Sequence, residues 1–140
     1  MEFAEALVAG LSDAVVHVDA GGCIRIWNAG AERIFGFSAA EAIGQTLDLI
    51  IPASLRDRHN VGFAATMRTG HTKYGGGDIL SVPAQRKDGA RISVEFSIVP
   101  FADAAGTMTG VAAVMRDVTA RFEELRSLRR EVAALRAGPR

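Results

Sequence analysis

Short segments of the chain alternate between apolar and polar residues, and apolar residues recur at helical spacing between these segments. Ala14–Val18 is a β-branched apolar run that Asp19–Gly22 ends, and an alternating run, Cys23–Trp27, follows. Two such runs about one turn apart predict a β-hairpin. In the second run the alternation puts Ile24 and Ile26 on one face, opposite Cys23, Arg25 and Trp27.

Short helices are predicted on both sides of this hairpin. Residues 3 to 11 carry Phe3, Leu7 and two further apolar residues at helical spacing. Asn28 can cap a second helix, whose buried side holds Ala31, Ile34 and Phe35. Ser38 and Glu41 have the spacing of a capping box, so a third helix begins there, and Gly44 ends it.

A longer helix and three strands complete the pattern. Proline is common at the first turn of a helix, so Pro52 predicts a helix over Ala53–Arg68. Gly70 is the predicted C-terminal cap of this helix. Turn sequences separate the three predicted strands, which are Asp78–Gln85, Arg91–Pro100 and Thr107–Val118. The middle strand alternates polar and apolar residues, so it has one wet face and one dry face.

The tail from Thr119 has a different pattern. Apolar residues recur at three- and four-residue steps between arginines and glutamates, at Phe122, Leu125, Leu128, Val132 and Leu135. This spacing is typical of a short coiled-coil seam. Six of the 14 arginines lie in the last 20 residues, and we interpret them as a solvated helix face.

Composition narrows the function classes. The chain has 140 residues, a length typical of one domain, and its 16 basic and 16 acidic residues cancel. The balance gives no reason to expect binding to nucleic acid or to an anionic membrane. The single cysteine, Cys23, excludes an internal disulfide framework. Apolar runs are too short for a membrane helix and the N-terminus is acidic, so we expect a cytoplasmic protein.

The predicted order of elements indicates an α+β fold, in which one five-stranded antiparallel sheet carries short helices on one face. The sequence resembles a PAS domain through several motifs in the right order, which are Asp19-x-x-Gly22, Trp27-Asn28-x-x-Ala31-Glu32-x-Ile34-Phe35-Gly36, Glu41-x-x-Gly44, Arg86-Lys87-Asp88-Gly89 and Arg116-Asp117-Val118-Thr119. We therefore divide the chain into an N-terminal flanking helix (1–12), a PAS domain (13–119) and a C-terminal signalling or coiled-coil helix (120–140).

The longer helix resembles one subgroup of PAS domains, the heme-binding sensors of rhizobial oxygen-sensing histidine kinases. In that subgroup a histidine on this helix, eleven residues before the glycine of a Thr-Gly pair, ligates the heme iron. His59 stands eleven residues before Gly70, which follows Thr69. The resemblance therefore implies that His59 is the proximal axial ligand of a heme b. A lone histidine beside Leu55, Phe63 and Met67 on one helix face is otherwise more often a packed core residue.

The same resemblance implies the rest of the heme site. Apolar walls would come from Phe63, Met67, Phe96, Ile98 and Met115, with Phe96 and Ile98 on the distal side and Tyr74 near it. Lys73 matches a basic position of the subgroup. Arg68 and His71 are nearby candidates for the heme propionates, and His71 is also a candidate second ligand.

Two departures from the subgroup leave the signal open. The segment Asp78–Ser81 lacks the arginine that responds to gas in the subgroup, and Ala65 replaces a basic residue on the helix. A distal donor stabilises bound oxygen, so O2, CO, NO and a change of redox state are all candidate signals.

Other functions remain open at this stage. The chain contains no catalytic constellation, so we expect no enzymatic activity. A heme sensor would act as a homodimer through its flanking helices and would signal to a downstream domain or partner protein. Alternatively, the domain is a cofactor-free dimerisation module, or its pocket holds another small molecule such as a flavin or an organic acid.

Overall fold

A computed structural model describes residues 2–71 and 79–138, and these residues form one five-stranded antiparallel sheet with helices around it. The strands are β1 (Ala14–Asp19), β2 (Ile24–Trp27), β3 (Leu80–Gln85), β4 (Arg91–Ala102) and β5 (Met108–Asp117), in the spatial order β2-β1-β5-β4-β3. The helices are α1 (Phe3–Gly10), α2 (Ala29–Phe35), α3 (Ala39–Ala42), α4 (Arg56–Thr69) and α5 (Thr119–Ala137). The predicted α+β class with five antiparallel strands is confirmed.

The hydrophobic core lies on one face of the sheet. Leu80, Phe96, Met115 and Ala14 are register partners across four neighbouring strands, so their side chains share this inner face. Helix α2 covers one end of the face with Phe35, whose ring centroid lies 5.6 Å from that of Trp27. The other end, under α4, is closed less completely, as described below.

Asn28 joins α1, β1 and α2. Its Oδ1 accepts hydrogen bonds from the Val15 amide at 2.8 Å and from the Ala31 amide at 2.9 Å, so the predicted cap of α2 is present. Its Nδ2 donates to the carbonyls of Val8 and Asp13. A buried side-chain amide destabilises the folded protein unless its polar atoms form hydrogen bonds. Asn28 is buried, and both its oxygen and its nitrogen are hydrogen-bonded.

The predicted alternation of β2 is wrong. Ile24 and Trp27 are buried, whereas Arg25 and Ile26 between them are exposed. The cause is a β-bulge: Trp27 pairs with Val16 and Ile24 with Val18, so β2 has one more residue than β1 over this stretch. A bulge turns neighbouring side chains to the same face, and strict alternation from the sequence cannot anticipate it.

Several element bounds also differ from the predictions. Residues 53–55 form a 3₁₀ turn that Pro52 precedes, so the α-helix begins three residues later, at Arg56. Strand β4 ends at Ala102 and not at the predicted Pro100. A tight turn follows it, in which Asp103 Oδ1 accepts hydrogen bonds from the Ala105 and Thr107 amides. The capping box of Ser38 and Glu41 is present as predicted, although α3 ends at Ala42.

Helix α5 leaves the sheet from the end of β5. The Val118 amide donates to the Ser93 carbonyl at 2.9 Å, and Thr119 Oγ1 accepts the Ser93 amide at the same distance. These bonds fix the start of α5 to β4, and the rest of the helix has no buried residue. Within the described residues no helix is long and apolar enough to cross a membrane.

Candidate functional site

Helix α4 carries the candidate ligand and lies over the less closely packed end of the inner face. Leu55, just before the helix, and His59, Phe63 and Met67 within it are all half-buried, as the four-residue spacing predicts for one face. None of the 14 residues of α4 is buried, although the helix packs against β5. The helix therefore contacts the core cluster through half-buried residues such as Phe63 and contributes no fully buried side chain.

Helix α4 approaches the rest of the domain near its middle and at its C-terminal end. A Cβ atom placed on Gly22, in the β1–β2 turn, would lie 3.6 Å from Cε1 of Phe63. At the C-terminal end Gly70 caps the helix with a φ of 77°, and a Cβ placed there would lie 3.8 Å from the Met108 sulfur. Gly70 suits this cap because the left-handed conformation costs glycine no steric strain.

The β1–β2 turn that meets Phe63 is itself held by a carboxylate. Asp19 accepts the amides of Gly21 and Cys23 on Oδ1, each at 3.0 Å, and the Arg25 guanidinium lies 2.6 Å from Oδ2. The Cys23 amide, followed by the Arg25 side chain, lowers the pKa of the Asp19 carboxyl below its ordinary value. This turn contains the Asp19-x-x-Gly22 motif.

The sheet supplies an apolar surface under α4. Phe96 and Ile98 lie on the inner face of β4, where their register partners on β5 are Met115 and Ala113. Phe96 is half-buried and packs against the core, and Ile98 is also half-buried. Met115 is only 6% exposed and belongs to the core cluster, so it lies beneath this surface and is not part of it.

The His59 ring is the first member of a short hydrogen-bonded chain. Its Nδ1 lies 3.3 Å from Asn60 Oδ1, and Asn60 Nδ2 lies 3.4 Å from Asp48 Oδ1. If Nδ1 donates, the tautomer leaves a lone pair on Nε2, the nitrogen that can bind a metal. Within the described residues Nε2 makes no hydrogen bond. Ligating histidines normally have this arrangement, with the second nitrogen tied to an oxygen acceptor.

These side chains are of the kinds that a heme site uses. An imidazole nitrogen is a normal axial ligand of heme iron, and the porphyrin needs apolar surfaces on both faces. The half-buried Phe63 and Met67 on α4 and Phe96 and Ile98 on β4 offer such surfaces. Covering them with a flat apolar group would remove apolar area from water, which is favourable by about 25 cal/mol for each Å².

The remaining predicted site residues are dispersed. Arg68 and His71, the predicted partners of the heme propionates, are exposed around the C-terminal end of α4. Lys73 and Tyr74 lie outside the described residues. His17 lies on the outer face of the sheet, with its ring 5.7 Å from that of Phe101. It is therefore on the side of the sheet opposite α4.

Two residues of the candidate site were missed by the sequence reasoning. Asp48 lies in the 3₁₀ turn Leu47–Leu49, and Asn60 follows His59 directly. Within the described residues there is no group of three or more His, Cys, Asp or Glu side chains that could hold a metal ion.

The family model described as the PAS fold matches residues 2–118. The chain belongs to the PAS family. The PAS fold is also found in solved structures that resemble this domain. One is the PAS domain of a protein from Colwellia psychrerythraea, with a TM-score of 0.71, 24% identity, and coverage of 83% of this chain and 94% of that one. Another is an RNA-binding Light-Oxygen-Voltage receptor, with a TM-score of 0.71, 22% identity, and coverage of 93% and 36%.

A curated relative of this PAS domain is the sensor protein FixL of Bradyrhizobium diazoefficiens. The two are 31% identical over 123 residues, which cover 84% of this chain and 24% of FixL. A second relative, an uncharacterised protein of Azorhizobium caulinodans, is 34% identical over 119 residues and is covered over 16% of its length. The chain thus spans a quarter or less of the curated relatives that it matches.

Proposed function

We propose that this PAS domain binds heme b through His59 and reports a diatomic gas, O2, CO or NO, or the redox state of the iron. The observation that carries the proposal is the His59 ring on the half-buried face of α4, with Nδ1 next to the Asn60 side-chain oxygen. The similarity to FixL, and the resemblance of the α4 sequence to oxygen-sensing kinases, support the same assignment. We propose no enzymatic activity for the domain, and a cytoplasmic location.

The bound heme would supply an iron atom with one side open to a gas or to a second ligand. His59 would hold the iron, and Asn60 with Asp48 would keep the imidazole in one tautomer and one orientation. Phe63, Met67, Phe96 and Ile98 would supply the apolar walls that exclude water from the porphyrin, with Met115 behind them. Arg68, His71 and Lys73 are the candidate partners of the two propionates, and Tyr74 is a further candidate wall residue.

The signal would leave the domain through β5. Met115 stands two residues before Asp117, where β5 ends, and α5 begins at Thr119. A shift of the inner face at Phe96 and Met115 would therefore reach α5 through continuous backbone. A ligand can shift the domain only if it binds one arrangement more tightly than the other. The output would be a homodimer of this chain acting on a downstream domain or partner protein.

The test is an absorption spectrum of the purified protein before and after hemin, dithionite and CO are added in turn. We expect a sharp Soret band that shifts with CO in the wild type and in His17→Ala, which alters a histidine on the other side of the sheet. We expect His59→Ala to lose the band or to change its position. Full heme occupancy and an unchanged spectrum in His59→Ala would contradict the assignment.

A second candidate function is cofactor-free dimerisation. It is favoured by the exposed apolar residues of the flanking helices, such as Phe3 on α1 and Leu128 on α5. This function predicts a colourless protein that does not bind hemin specifically and whose dimer is lost when the chain is cut after Thr119. Bound flavin, the other small-molecule alternative, would be visible in the spectrum of the protein as purified.

A further inference from the structure

Asp48 carries a carboxylate that the fold holds close to the candidate axial ligand. It lies in the 3₁₀ turn Leu47–Leu49, where its backbone amide donates to the Thr46 hydroxyl at 3.3 Å. Ile50, directly after this turn, is buried, and its carbonyl accepts the Gln85 amide of β3 at 2.7 Å. The Asp48 side chain takes no part in these bonds. They therefore fix the turn, and a substitution of that side chain should leave its shape unchanged.

The Asp48 carboxylate fixes the direction of the Asn60 side-chain amide. Asp48 Oδ1 lies 3.4 Å from Asn60 Nδ2. An ionised carboxylate can only accept hydrogen bonds, so the NH2 group of Asn60 must be the end that faces it. The oxygen, at the other end of the amide, lies 3.3 Å from His59 Nδ1. Asp48 therefore determines which end of the Asn60 amide meets the histidine.

The direction of this amide determines the tautomer of His59. An amide oxygen can only accept, so Nδ1 carries the proton when the imidazole is neutral, and Nε2 keeps a lone pair. A histidine side chain without such a partner prefers the other tautomer, with the proton on Nε2, which cannot bind a metal through that nitrogen. The Asp48 carboxylate therefore reverses the intrinsic preference of the ring, and it acts through Asn60 rather than through a bond of its own.

Other charged groups do not compete for this carboxylate in the described part of the chain. None of the salt bridges there involves Asp48 or His59. Arg56, the first residue of α4, donates its Nε to the Ile51 carbonyl at 2.9 Å and is therefore engaged on its own segment. Asn60 is thus the hydrogen-bond donor that the structure gives to the Asp48 side chain.

We propose that Asp48 is a positioning residue that, through Asn60, selects the His59 tautomer able to bind iron at Nε2 and makes the bound imidazole a stronger electron donor. The second effect arises because a carboxylate at the end of a hydrogen-bonded chain increases the basicity of the ligand. The inference rests on the proposed function for the presence of iron. The tautomer itself is a property of the chain without heme, so the two proposals can be tested apart.

The tautomer is tested by long-range ¹⁵N–¹H NMR of the full chain without hemin, at a pH where the imidazoles are neutral. The spectrum distinguishes a protonated from an unprotonated ring nitrogen, and His59→Gln identifies the His59 signals among those of the three histidines. We expect Nε2 of His59 to be unprotonated in the wild type. In Asp48→Leu the proton should move to Nε2 in most molecules. Asp48→Glu keeps a carboxylate and should restore the wild-type pattern.

Asp57→Leu is the matched control. Asp57 is exposed and lies on α4 two residues before His59, outside the hydrogen-bonded chain. Its replacement removes the same charge, and we expect the wild-type tautomer to remain. Asn60→Leu removes the link but keeps Asp48, so it should give the tautomer of Asp48→Leu, and it tests the proposal even if Asp48→Leu does not fold. The proposal is overturned if either folded variant keeps the wild-type tautomer, or if Asp57→Leu changes it equally.

The effect on the iron is measured in the hemin-loaded protein. Asp48→Leu should shift the midpoint potential to a more positive value and weaken hemin binding about tenfold. Asp57→Leu should change neither, because its exposed charge is screened. An unchanged potential in Asp48→Leu would overturn this part of the proposal.

The two proposals fail in different experiments. If the heme proposal is wrong, His59→Ala keeps the wild-type spectrum, and the NMR result without hemin is unaffected. If the role of Asp48 is wrong and the heme proposal holds, His59→Ala loses the Soret band, whereas Asp48→Leu keeps the wild-type tautomer.

Discussion

The Asn28 amide nitrogen donates to the Val8 carbonyl at 2.7 Å, which ties helix α1 to α2 and the sheet through a side chain 20 residues away. The oxygen of the same amide receives the Val15 and Ala31 amides. One side chain therefore connects a flanking helix, the first strand and the first helix of the core. A movement of β1 would therefore displace α1 through these hydrogen bonds.

Replacing Asn28 by alanine should be among the most destabilising polar substitutions in the chain. The loss of the helix cap costs about 1 kcal/mol, and the buried Val15 amide left unpaired adds about 1 to 3 kcal/mol. Urea denaturation followed by circular dichroism measures the sum. Ser38→Ala, which removes the exposed cap of α3, is the matched control and should cost only about 1 kcal/mol. Equal losses from the two variants would show that the network around Asn28 adds nothing to the cap.

Replacing either of two helical glycines by alanine should change the stability of the protein, in opposite directions. A Cβ on Gly30 would lie 2.1 Å from the Asp13 carbonyl oxygen, so α2 or the backbone at Asp13 must move, at a cost of about 1 to 3 kcal/mol. A Cβ on Gly62 in α4 meets no atom within 4 Å. There alanine should stabilise the protein by about 0.5 to 1 kcal/mol, because it reduces the entropy of the unfolded chain. Thermal melting of both variants checks the prediction, which fails if Gly30→Ala is as stable as Gly62→Ala.

Glu41 should contribute a pH-dependent part of the stability. The Lys87 ammonium, followed by the Ser38 backbone amide, lowers the pKa of Glu41 from 4.5 to about 2. Because the pKa is lower in the folded state, the contribution is complete above pH 4.5 and disappears as the pH falls through about 2. The difference in unfolding free energy between wild type and Glu41→Gln should shrink over that interval. The two side chains are exposed, so we expect a small difference.

The partner of Glu41 provides the control. In Lys87→Ala the pKa of Glu41 should rise part of the way toward its ordinary value, and the Ser38 amide should keep it from returning completely. An NMR titration of the Glu41 side chain in the two proteins measures both values. An unchanged pKa in Lys87→Ala would mean that the Glu41–Lys87 contact contributes nothing in solution.

Asn60 should affect heme binding without touching the iron. Asn60→Leu removes the acceptor next to His59 Nδ1, and loss of such a partner typically weakens metal affinity by about 10- to 100-fold. Asn60→Asp keeps an acceptor and should bind hemin with nearly wild-type affinity. Quenching of the single tryptophan, Trp27, during a hemin titration gives the affinities. Identical titration curves for Asn60→Leu and the wild type would remove Asn60 from the site.

Much of the fold was predictable because its signals are local. The cap at Asn28 and the capping box at Ser38 and Glu41 depend on residues three positions apart, and both are present. The bulge opposite His17 and Val18 was not predictable, because it depends on how two strands align. The register between two strands depends on both of them, so the alternation of residues in one strand cannot predict it.

The candidate site was predictable only in part, for a similar reason. The helical period put His59, Phe63 and Met67 on one face, and the structure describes all three as half-buried. Asp48 is 12 residues from Asn60, in a segment with no helical period, and only the folded chain brings them together. The assignment of His59 to heme came from a resemblance to a family and stays a prediction.

The ion pair between Asp13 and Arg116 has a consequence for how the domain transmits force. The two residues are 103 positions apart in sequence, yet Arg116 Nη2 lies 3.1 Å from Asp13 Oδ2, beside the register pair Ala14 and Met115. The chain therefore enters and leaves the sheet at one end of two neighbouring strands. A pull on the two flanking helices would load this ion pair and the adjacent ladder first, in an unzipping direction. Helix α4 and its histidine lie outside that mechanical path.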